Sequence, residues 1–143
     1  MNASTDATVR GTHASSSALG KSAELAGRIL LAALFLLSGV GKIGAYAATA
    51  GYMASVGVPG ALLPVVIAVE VIGGLALILG WQTRIVAFLL AGFTLLSALI
   101  FHTHFADQVQ MIMFWKNVSI TGGLLLLVVH GAGAFSLDAR SGR

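Results

Sequence analysis

The sequence predicts an all-α integral membrane protein, a four-helix bundle with both termini in the cytoplasm. Three observations carry this expectation. Of the 143 residues, 57% are hydrophobic and only 9% are charged, against about 25% charged in an ordinary soluble domain. The mean hydropathy is +0.95, too apolar for a surface that faces water. The apolar residues also fall into four runs, each of roughly the 20 residues that a spanning helix needs. Lipid offers no water to bond backbone N–H and C=O groups, so each run must be a helix that satisfies them internally.

Residues 1–24, "MNASTDATVRGTHASSSALGKSAE", are polar and rich in Ser, Ala and Thr. They show no hydrophobic period, which predicts a disordered cytoplasmic tail. The membrane domain spans 25–138, with helices over 25–45, 61–80, 84–104 and 112–131, and residues 139–143 form a short cytoplasmic tail. The first helix is "LAGRILLAALFLLSGVGKIGA". Its Arg28, apolar run and "AYA" also resemble a secretory leader with its cleavage site. The long polar lead and Lys42 just before that site argue for a helix instead. The connection 46–60, "YAATAGYMASVGVPG", is uncharged and apolar, which suits a short interfacial helix ended by "VGVPG". Pro64 is acceptable in the first turn of the second span.

Charge sets the orientation. Arg10, Lys21 and Arg28 stand at the start of the first span, Arg84 in the turn between the second and third, and Arg140 and Arg143 in the tail. Four spans put all six on one side, so the positive-inside rule places the termini in the cytoplasm. Trp81 then marks the inner interface, and Tyr46, Tyr52 and Trp115 the outer one. The net charge of +3 does not indicate a nucleic-acid partner, because the eight Lys and Arg residues form no basic patch. Cys is absent, which excludes disulfides, thiol chemistry and iron–sulfur clusters in this chain. No nucleotide-binding glycine loop, catalytic Ser/His/Asp set or metal-ligand spacing occurs, so no catalytic or metal-binding residue is assigned. A bis-histidine haem needs two facing histidines. His102 and His104 point to different faces of one helix, and His130 lies at the other side of the membrane.

Ionisable groups inside spanning helices are rare and usually face the bundle interior. Lys42, Glu70, His102 and Lys116, with Asn117 beside it, supply such groups from all four helices. Glu70 shares a face with Gly73 and Gly74, Lys116 with Ser119 and Gly123, and Lys42 with Ser38 and Gly39. Gly73, Gly74, Gly122 and Gly123 are the candidate positions of close helix packing. Glu70 lies about nine residues deep, roughly 13 Å, and the two lysines about three residues deep, roughly 5 Å. Two readings stay open for each lysine: pairing with Glu70, or extending to the membrane surface. For Lys116 we expect the side chain to turn inward, toward Glu70 or a bound ligand. The histidines are either site residues or ordinary interfacial ones.

Taken together, "RILLAALFLLSGVGKI", "VEVIGGLALILGWQTR", "LIFH" and "FWKNVSITGGLLLLVVHG" resemble the DoxX family. The likeness covers roughly residues 26–138, and the ordered set S-G-x-x-K, E-x-x-G-G and K-N-x-x-x-x-G-G carries it. It implies a small bacterial or archaeal protein of the inner (plasma) membrane. It also implies Lys42, Glu70, His102, Lys116 and Asn117 as family-like positions, without a mechanism. The family takes its name from a subunit of a quinone-linked thiosulfate oxidoreductase. We therefore expect a redox-associated subunit near the quinone pool, with the quinone head group among the polar residues and partner subunits supplying the redox centre. Two other readings are a non-enzymatic scaffold that docks soluble detoxifying enzymes, and a small transporter or proton pathway through Glu70. The expected partners are the lipid bilayer, redox-enzyme subunits and a second copy of the chain, and the chain itself shows no cofactor motif.

Overall fold

The computed structural model describes residues 3–142, with side chains described from Ala18 to Gly142. Among the described residues all regular structure is helical. The order is α1 (Ala3–Gly44), α2 (Tyr46–Ser55), a 3-10 turn (Gly60–Leu62), α3 (Leu63–Leu79), α4 (Thr83–Phe101), α5 (Gln108–His130) and α6 (Leu137–Arg140). Four stretches are long and apolar enough to cross a membrane: Ala18–Gly44, Gly60–Leu79, Thr83–Phe101 and Gln108–His130.

The helix boundaries follow local chemistry. α1 continues through residues 18–24, where the composition led us to expect a disordered tail. Ala, Leu, Lys and Glu in that stretch are strong helix formers, and extending an existing helix costs no new nucleus. The rest of that tail lies outside the residues whose side chains are described, as does Arg143. α2 is the expected short helix of the 46–60 connection. α3 carries Pro64 in its first turn, where a missing N–H costs nothing. It ends at Gly80, whose φ of 64° is left-handed. α5 begins at Gln108, four residues before the expected start at 112, because Asp107 caps it by accepting from Val109 N at 2.8 Å.

The bundle is built from two close pairs, α1 on α3 and α4 on α5, joined across α3 and α4. A tight set of apolar side chains fills its centre, including Phe35, Leu77, Leu90 and Leu124. Outside, large apolar residues such as Leu30, Leu37 and Val129 are 65–74% exposed. That surface suits lipid and would be a liability in water. Since lipid is as apolar as leucine, helix association rests on close packing and polar contacts rather than on the hydrophobic effect. Both act at glycines. A Cβ on Gly74 would meet Leu36 Cγ at 2.9 Å and Ala32 O at 3.3 Å, so its absence lets α1 and α3 touch. A Cβ on Gly73 would meet Leu90 Cδ2 at 2.9 Å on α4. Gly123 sits 3.4 Å from Leu31 by the same measure, but Gly122 faces open space. Gly122 is therefore corrected from the packing set: it stands about 100° around the helix from Gly123, and on that side α5 has no other helix against it among the described residues.

Candidate functional site

The end of the bundle where the termini lie is tied by Arg28. Its side chain is fully buried, with only 1% of the residue exposed. It donates from Nη1 to Ala132 O, and from Nη2 to Ile78 O at 3.2 Å and Phe135 O at 2.5 Å. Read from sequence, Arg28 was only an orientation signal. The structure makes it a bond between the start of α1, the end of α3 and the segment after α5. Asp138 completes the tie. Its two carboxylate oxygens accept from Gln82 N and Thr83 N, each at 2.8 Å, at the start of α4. Helix N-termini favour such an anion, and the Gly80–Gln82 turn presents both amides to it.

The candidate site lies toward the opposite end, in a cavity of about 400 Å³ whose walls come from α1, α2, α3, α4 and α5. All five polar candidates from the sequence line it: Lys42, Glu70, His102, Lys116 and Asn117. The structure brings two of them into direct contact. Lys42 Nζ lies 2.8 and 2.9 Å from the carboxylate oxygens of Glu70, and 2.6 Å from Ser38 Oγ. Ser38 Oγ in turn donates to Glu70 Oε1 at 3.0 Å. The lysine side chain is 25% exposed and that of Glu70 7%. The cluster forms because Ser38 and Lys42 are four apart on one face of α1, and because Gly39 lies between them. A Cβ there would overlap Val71 Cγ2 at 2.7 Å and crowd Glu70 Cβ at 3.2 Å. A glycine at this crossing lets the α3 backbone come close enough for the ion pair.

Lys116 departs from the first of its two expected partners, Glu70. It is exposed, and its Nζ donates to Met113 Sδ at 3.2 Å rather than meeting Glu70. Lys42 already holds the carboxylate. Side chains on a helix lean toward its N-terminus, which carries the Lys116 amine up toward Met113 and the cavity rim. Asn117, half-buried, lines the same wall. His102 Nδ1 lies 2.7 Å from Gln110 Oε1, so the ring is fixed across the α4–α5 connection. His104 is exposed and does not line the cavity. Among the described residues no cluster of three or more His, Asp and Glu could hold a metal ion.

Several lining residues escaped the sequence reading, two of them polar residues of α4. Thr94 and Ser97 of α4 line the cavity. Thr94 is only 5% exposed, and its Oγ1 has no hydrogen-bond partner. The sequence held no sign of this, because a threonine in a spanning helix ordinarily bonds its own backbone.

Comparison with known proteins gives a consistent picture. The DoxX family model matches residues 23–103. The chain is 52% identical over 114 residues to "Inner membrane protein YqjF" of Escherichia coli K12, covering 80% of this chain and 88% of that protein. It is 42% identical over 124 residues to "Inner membrane protein YphA" of the same strain, covering 81% and 88%. No solved structure matches the chain.

Proposed function

Because the chain belongs to the DoxX family, we propose that it is an inner-membrane subunit that holds a quinone head group in the cavity below α2 and works beside a partner that supplies the electrons. The observation that carries this reading is the cavity's composition. It is mainly apolar, with polar groups concentrated on Lys42, Glu70, His102, Lys116 and Asn117. Its volume of about 400 Å³ falls in the range of roughly 300–1,000 Å³ typical of small-molecule sites. With the Arg-bearing end in the cytoplasm, as the positive-inside rule requires, the cavity belongs to the outer half of the bilayer. An isoprenoid tail is compatible with the apolar helix surfaces around it.

Counting donors sorts the roles. All three N–H groups of Lys42 are occupied, by Ser38 Oγ and both oxygens of Glu70. Lys42 and Glu70 therefore set the charge balance of the wall and hold α1 to α3. Lys116 has only a thioether partner, a weak acceptor, so its amine retains donors for a ring oxygen. The Asn117 amide is the neighbouring donor. A quinone supplies two-electron, two-proton carrier chemistry. The residues bind and orient it, and the Lys116 ammonium balances negative charge on an oxygen at the rim. The electrons come from a partner protein, since the chain has no cysteine to ligate an iron–sulfur cluster.

The test is purification from native membranes into nanodiscs, with solvent extraction and titration of the stripped protein with decylubiquinone and a short-chain menaquinone. The reading expects extracted quinone above the membrane background and saturable binding, weakened about tenfold in Lys116→Met by loss of one charge-assisted hydrogen bond. Background quinone with no saturable binding refutes it. Solute flux in vesicles, or stoichiometric soluble enzymes without bound quinone, would turn the assignment to transport or scaffolding.

A further inference from the structure

The Ser38–Lys42–Glu70 cluster forms one wall of the cavity, and its hydrogen bonds are closed on themselves. Another wall holds a polar group with nothing to bond. Thr94 lines the cavity, and its Oγ1, buried in the wall, has no partner. A buried hydroxyl left without a partner is unfavourable, and native proteins seldom keep one without reason. A valine of the same shape would fill the space at no polar cost. The ordinary outlet for a mid-helix threonine, its own preceding turn, is not used here.

Depth along the helices gives the hydroxyl a position. Glu70 lies seven residues from Leu63, the start of α3, and Thr94 lies seven residues before Phe101, the end of α4. At 1.5 Å per residue, both sit about 10 Å inside the same end of the bundle. Ser38 lies six residues before Gly44, the end of α1, or about 9 Å. Ser97, one turn nearer the rim, also lines the cavity. So a hydroxyl on α4 stands at the level of the ionic cluster on α1 and α3, well below the mouth. Lys116 reaches upward to Met113 instead.

We infer that Thr94 is a ligand-binding residue, and that its hydroxyl donates to an oxygen at the deep edge of the bound head group while Lys116, whose amine reaches back toward Met113, serves the opposite edge. This rests on the cavity being the quinone site and deepens that reading. It restricts the ligand to a compact ring with oxygens on two opposite edges, inserted ring first. A single-headed amphiphile, such as a fatty acid or a monoacylglycerol, would leave Thr94 unsatisfied.

The test uses the full chain in nanodiscs with decylubiquinone as probe, comparing wild type, Thr94→Val and Thr94→Ser. Thr94→Val should raise the Kd about tenfold, and Thr94→Ser, which keeps the hydroxyl, should stay within about threefold of wild type. Infrared difference spectra of the bound quinone add a readout that a packing role would not move. One carbonyl band, lowered in wild type by its hydrogen bond, should return toward the free position in Thr94→Val alone. Melting curves of the ligand-free proteins check that Thr94→Val folds. If all three bind equally with the same carbonyl bands, Thr94 is not a binding residue and the quinone reading survives. If wild type binds no quinone at all, both fall together.

Discussion

Replacing Lys42 by Met tests the central contact of the bundle. The variant keeps the length and apolar stem of the side chain and removes the ammonium. Glu70, whose side chain is 7% exposed, then loses two of its three close donors and keeps Ser38. Breaking a buried ion pair from one side typically costs about 3–5 kcal/mol, because the remaining charge is stranded. The lower end applies here, about 3 kcal/mol, since Ser38 still donates and Lys42 was 25% exposed to begin with. For a chain of this length that corresponds to a fall in Tm of roughly 10 °C.

Glu70→Gln is the asymmetric counterpart. It strands Lys42, but a lysine two residues from the end of α1 can carry its charge outward. The loss should be smaller, about 1–2 kcal/mol. The double variant removes both charges and should recover most of the larger loss, which leaves a coupling of about 2 kcal/mol or more. Thermal melts of the wild type, the two single variants and the double variant in one nanodisc composition measure it. Losses that add to within about 0.5 kcal/mol, the scatter expected of independent sites, would show that the two groups do not meet and would refute the account of the α1–α3 crossing. Lys116→Met supplies the contrast. As an exposed residue bonded to a thioether, it should change stability by no more than about 0.5 kcal/mol and show no coupling to Glu70.

At the other end of the bundle, Arg28→Leu should cost about 3 kcal/mol or more, because it strands carbonyls of Ile78, Ala132 and Phe135. Arg28→Lys should rescue little, since an ammonium lacks the planar fork that reaches several acceptors; melts and proteolysis of the segment after α5 report both. Asp138→Ala should lose about 1 kcal/mol with its cap on α4, again read by melting. Gly80→Ala should be more harmful than a typical surface change, as φ is 64° and the added methyl would overlap Ser136 Cβ; reduced folded yield would show it. Reporter fusions after Arg84 and Arg143 should read as cytoplasmic and one at Val58 as external, and an external C-terminus would reverse the proposed orientation of the cavity.

The spans were legible because lipid leaves the sequence little choice. Long apolar runs must be helices, and all four appear, three with both limits within four residues of expectation and the first starting seven residues early, at Ala18. The start of α5 was less legible. Gln108 and Gln110 looked like loop, and the informative residue was Asp107, whose cap moves the first turn back. Lys116 thereby stands eight residues past Gln108, not near the helix end, and reaches back toward that end. The convergence of Lys42, Glu70, His102, Lys116 and Asn117 on one cavity was also readable, from one polar group per helix. Which lysine takes Glu70 was not. That choice is made by Gly39, through a steric contact with Val71 that no spacing rule reports.

Arg28 and Thr94 show why polarity inside a membrane chain is an incomplete guide to function. By charge and burial Arg28 is the most conspicuous polar residue of the described chain, yet both of its terminal nitrogens are engaged with backbone carbonyls. It holds elements together, and a ligand would have to break those bonds to use them. Thr94 is inconspicuous, one hydroxyl in the apolar stretch "AGFTLLSALI", yet its donor is unoccupied and the residue lines a cavity. Binding needs donors that the fold has not already consumed. By that criterion the Lys42–Glu70 pair, despite being the strongest polar contact in the cavity, is part of the scaffold of the site. Lys116, Asn117 and Thr94 are the groups left free to recognise what enters it.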